Sequence, residues 1–179
     1  MKLFPTLSLT ALGLAALLAG GALQAQTPPA TPTEPQLFAE RAASSNAFEI
    51  ESSSLALQAL ERAGLETDQP LVDFAQTMVR DHNEAQEQLN IAAAADGVII
   101  PAEIDDRHTA TLDSLKTAST GENFRSAYVT AQVDAHEESV ALFTAFAADG
   151  PEGALKDFAA KTLPVLQRHE EHIKTLDRR

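Results

Sequence analysis

The chain has 179 residues, with 26 acidic against 13 basic side chains for a formal net charge of −13, and no cysteine. No basic cluster interrupts that acidity, which argues against nucleic acid or anionic lipid as partners and leaves cations as plausible ones. Disulfides and thiolate sites are excluded as well, so packing or a metal must hold the fold together.

The chain opens MKLFPTLSLTALGLAALLAGGALQAQ, a lysine followed by an apolar run that ends in small residues around Ala22 to Ala25. That order is the pattern of a secretory signal peptide over residues 1–25. The run is short, is broken by Gly13, Gly20 and Gly21, and lacks the basic flank of a stop-transfer anchor. The expected location is therefore the periplasm or cell envelope, with no integral membrane span once the signal is removed. Residues 26–35 carry TPPATPTEP, whose proline density predicts a disordered, extended linker. Residues 36–179 then form one domain, long enough to bury a core.

Within that domain, alanine-rich stretches at helical period dominate, and no β-branched run alternates as a strand would. A first helix is predicted from about Gln36 to Ala63, closed by Gly64. A second runs from about Pro70 to Ala95, with Asp68 or Gln69 as cap, Pro70 in the first turn and Gly97 as its stop. After a break at Pro101, a short helix is expected over Asp105–Thr117. A third long helix spans about Gly121 to Ala148, the turn DGPEG follows, and a fourth long helix fills the remainder. Two tight helix pairs joined by a long connection with its own short helix describe an all-α, ferritin-like four-helix bundle with one long crossover.

Apolar residues spaced alternately three and four apart mark the buried stripe of each helix. In the second helix the stripe reads Leu71, Ala75, Met78, His82, Ala85, Leu89, Ala92. In the third it reads Val129, Val133, His136, Val140, Phe143, Ala147, and in the fourth Leu155, Ala159, Thr162, Leu166, His169, Ile173, Leu176. Each series is interrupted by a single imidazole. At about 1.5 Å per residue, His82 and His136 fall near mid-helix and His169 about one turn away. One histidine on an apolar stripe is ordinarily a satisfied core residue. Three at one level waste their hydrogen-bonding capacity unless something shared satisfies them, and a divalent cation does so with ring nitrogens. The first helix has no histidine; its apolar face is read through Ala39, Ala43, Ile50 and Leu57, with Asn46 inside and Glu49 on the edge. Glu49 is the carboxylate expected to complete the site.

Other polar groups have simpler readings. His172, one turn after His169 in QRHEEH, is an extra ligand or a surface residue. His108 is expected to cap one end of the core, and Met78 to fill it. Tyr128 can give its hydroxyl to a buried network, and one or two of Asp81, Glu84, Glu137 and Glu138 can orient an imidazole.

The stretches AASSNAFEIESSSLAL, FAQTMVRDHNEAQ, AYVTAQVDAHEESVALF and FAAKTLPVLQRHEEH occur in order over the whole mature chain. Together they resemble a bacterial domain-of-unknown-function family, number 4142, labelled predicted outer membrane protein and placed with ferritin-like folds. The resemblance implies such a bundle and an envelope location, and carries no activity. The Glu-x-x-His pairs of di-iron carboxylate bundles are missing, since Val79 and Leu166 stand three before His82 and His169. The residues present suit one metal on nitrogen ligands with a carboxylate, for which zinc, iron, manganese and copper are all acceptable. Two functions follow: metal binding in the bundle core for buffering or redox work in the envelope, or a non-catalytic interaction module whose histidines form a buried hydrogen-bond network. No nucleophile elbow, phosphate loop or nucleotide fingerprint names a substrate.

Overall fold

A computed structural model describes residues 33–62, 68–119 and 123–178. The expected signal peptide and nearly all of the linker lie outside the described residues. Five helices follow in order: α1 Pro35–Arg62, α2 Gln69–Ala95, α3 Asp106–Ala118, α4 Phe124–Asp149 and α5 Ala154–Asp177. Pro35, assigned from sequence to the linker, instead opens α1, where its missing N–H costs nothing and its fixed φ suits a first turn.

The helix ends show why the chain breaks where it does. Gly97 adopts φ 71°, and behind α2 the Val98 N–H reaches the Ala93 carbonyl while the Gly97 N–H reaches Ala94, closing the helix in a Schellman motif. Asp105 caps α3 by accepting from the His108 N–H at 2.9 Å. Asp96, just past α2, accepts from the N–H groups of Ala154 and Leu155 at 3.0 and 2.8 Å. It thereby caps the start of a different helix, α5.

These contacts also set the directions. The end of α2 meets the start of α5, while Arg125 at the start of α4 bonds Asp68 before α2 and the Leu176 carbonyl at the end of α5. The helices α2 and α4 therefore point the same way, α1 and α5 the other, and the crossover with α3 must traverse the bundle. α1 packs on α2 and α4, α5 packs on α2 and α4, and α3 lies against α1 and α4.

The core is in two parts. One apolar cluster gathers Phe38, Leu89, Phe143, Phe146, Leu155 and Phe158; the other gathers Leu60, Leu71, Phe74, Met78, Tyr128 and Ile173. Between them every long helix contributes buried polar residues: Asn46 and Glu49 from α1, His82 from α2, Gln132 and His136 from α4, and His169 from α5. The α1 face read from sequence holds at Ala39, Ala43, Asn46 and Glu49, which are buried, and misses at Ile50 and Leu57. Ile50 and Leu57 are only half-buried, and the covered face runs through Phe38, Ala42, Asn46, Glu49, Ser53, Ala56 and Leu60. In that helix serines and alanines are nearly equal in size, so the apolar residues alone mark the stripe poorly.

Candidate metal centre

His82, His136 and His169 are 2%, 1% and 7% exposed. Their ring centres form a nearly equilateral triangle, with 5.8 Å between His82 and His136, 5.6 Å between His82 and His169, and 5.7 Å between His136 and His169. Each ring offers one ligand atom such that all three lie within 4.8 Å of one another.

What lies around the rings decides which nitrogen faces inward. The Nδ1–H of His82 donates to Asn46 Oδ1 at 2.9 Å, and the Nδ1–H of His136 to the Gln132 carbonyl at 2.9 Å. On α5 the sides are exchanged, and the Nε2–H of His169 donates to Asp81 Oδ2 at 3.0 Å. A carbonyl or carboxylate oxygen only accepts, so each engaged nitrogen carries the proton and the other keeps its lone pair. Those remaining atoms, Nε2 of His82, Nε2 of His136 and Nδ1 of His169, are buried and have no hydrogen-bond partner.

Electrostatics favours the neutral ring that a metal needs. Burial holds the His82 pKa well below its usual value, and the neighbouring His136 and His169 lower it further. Burial also lowers His169, against the opposing pull of Asp81.

Glu49, expected as fourth ligand, is 1% exposed at the same level. Its Oε1 lies 3.4 Å from Nδ1 of His136, the nitrogen opposite the unpartnered Nε2. It backs His136 and stands outside the cluster of mutually close donors, which is made of the three histidines. Burial raises its carboxyl above the ordinary value, with His136 and Gln132 opposing. His172 is exposed, sets its ring against Phe74 at 5.4 Å between centres, and is not among the three mutually close donors.

Asn46 and Asp81 orient imidazoles, while Glu84, Glu137 and Glu138 are exposed. His108 is buried at the side, its Nδ1 within 2.7 Å of Asp105 Oδ2 and 3.0 Å of Ser44 Oγ, and Tyr128 bonds Ser53 at 2.8 Å. Sequence reasoning missed Gln132, Ser45, Ser52 and Ser139, which are buried in the same layer. Gln132 donates to Ser52 at 3.0 Å, and Ser45 pairs with Ser139 at 2.7 Å. Their signal was present: Ser45, Glu49 and Ser52 on α1, like Gln132, His136 and Ser139 on α4, repeat at three and four.

Over residues 20–176 the sequence matches the family described as domain of unknown function (DUF4142). No curated protein and no solved structure matches the chain.

Proposed function

The chain belongs to the DUF4142 family, and from that premise we propose that it holds one divalent transition-metal ion on His82, His136 and His169 in the middle of the bundle. The observation that carries this is the convergence of three buried, unpartnered imidazole nitrogens, each on a ring whose other nitrogen is pinned by an acceptor. Metal-ligating histidines show this arrangement because the outer hydrogen bond fixes tautomer and ring orientation together. A pure hydrogen-bond network accounts for the outer nitrogens and leaves the inner three unpaired, a cost that buried polar groups rarely bear. Zinc, iron and copper suit a donor set of imidazoles, manganese less so. With the N-terminal segment read as an export signal, the ion would be buffered, or used in redox work, in the cell envelope. No helix among the described residues is long and apolar enough to cross a membrane.

Elemental analysis of protein purified from a periplasmic fraction tests the reading. Near-stoichiometric metal is expected, and His136→Ala should lose it. Metal-free wild-type protein that takes up none of zinc, iron, manganese or copper would overturn the proposal.

A further inference from the structure

Neutral imidazoles bring no charge, so a divalent ion carries both of its positive charges into the polar layer. Two carboxylates stand behind the ligands. Glu49 is almost fully buried beside His136, whereas Asp81 is half-buried and already paired with Arg80 at 2.8 Å. Burial alone disfavours the Glu49 carboxylate, but a seated cation would favour its ionised form, which then offsets one charge while Asp81 shares its own with the arginine, so one positive charge stays largely unmatched between two apolar clusters. Unmatched charge is expensive there. The chain itself has little to supply: it has no cysteine, no carboxylate or fourth imidazole among the described residues joins the three histidines, and Glu49 lies at the far nitrogen of His136.

Resting on the metal-binding reading, we propose that the fourth coordination position takes one small exogenous monoanion, with Glu49 remaining outside as a buried counter-charge. The ligand class is hydroxide derived from a metal-bound water, exchangeable for a monodentate anion of similar bulk. Zinc sites with three protein ligands keep the fourth position for water or substrate, while structural sites close it with a fourth protein ligand. A divalent ion lowers the pKa of its bound water toward neutrality, so the anionic form is within reach at ordinary pH. Forming it releases one proton to solvent and leaves the ion's oxidation state unchanged.

The test uses the full chain, stripped with chelator and reloaded with one equivalent of Co²⁺, whose visible bands report its coordination. Wild type and Glu49→Gln are each titrated with sodium azide. A saturable shift of the Co²⁺ bands is expected in both. A shift confined to Glu49→Gln would show that the glutamate occupies the fourth position, and no shift in either protein would show that the position is closed; both results overturn the inference while leaving metal binding intact. Wild type that takes up no Co²⁺ rejects the metal-binding reading itself and the inference with it. The wild-type titration decides between open and closed even where the variant folds poorly.

Discussion

Asn46, the Gln132 backbone carbonyl and Asp81 each pin one imidazole, so on the proposed reading they act on an ion they would not touch. Asn46→Ala and Asp81→Ala should each weaken metal binding about 10–100-fold, read by competition against a chelator, because loss of the outer acceptor frees tautomer and ring angle. Glu84→Ala, exposed on the same helix as His82, should leave the affinity unchanged. Asp105 offers a separate, metal-independent measurement. Burial would raise its carboxyl, but the His108 N–H, the Ser44 hydroxyl and the His108 ring overcome that and hold it at about 2 against an ordinary 3.8. Since the folded value is the lower one, the unfolded chain binds more protons between the two. The stabilisation is therefore complete above about pH 5 and is lost as pH falls toward 2. Urea melts at stepped pH should show Asp105→Asn less stable than wild type by a constant margin at higher pH, closing over that acid window.

At the scale of elements, α5 receives its N-terminal cap from Asp96 at the end of α2. A Cβ on Gly153 would stand 2.7 and 2.9 Å from the two Asp96 carboxylate oxygens, so Gly153→Ala must push that carboxylate off the α5 N-terminus. Asp96→Ala removes the same two bonds, at a cost of about 1 kcal/mol for a lost cap. The double variant should be little worse than the poorer single one by thermal melt, because both changes break one contact. The helices themselves were legible: Gly97, Pro70 and DGPEG act through local backbone geometry, and the observed ends lie close to the predicted ones. The cap between helices was not, since Asp96 and Ala154 meet only after the bundle closes. The serine part of the α1 face was also hidden, because those serines face Ser139, Gln132 and Tyr128 on another helix.

For the whole molecule, a polar layer between two apolar clusters means that, among the described residues, the metal-free bundle carries seven buried side-chain polar atoms without hydrogen-bond partners. An ion seated there would satisfy the three ring nitrogens and bind only the folded state. Free metal at 100 times its dissociation constant should then stabilise the protein by about 2.7 kcal/mol, raising the melting temperature by roughly 5–10 °C, and His82→Ala should abolish the rise in a differential scan. Sequence periodicity by itself determined that three helices bury one histidine each at a common level, because side-chain direction along a helix follows from its pitch. It determined the all-helical order and the long crossover for the same local reason. Only the tertiary structure decided which ring nitrogen turns inward, that Glu49 backs His136, and that His172 packs on Phe74 apart from the other three rings. Those choices depend on rotamers and on acceptors carried by neighbouring helices, so they come into being when the helices pack.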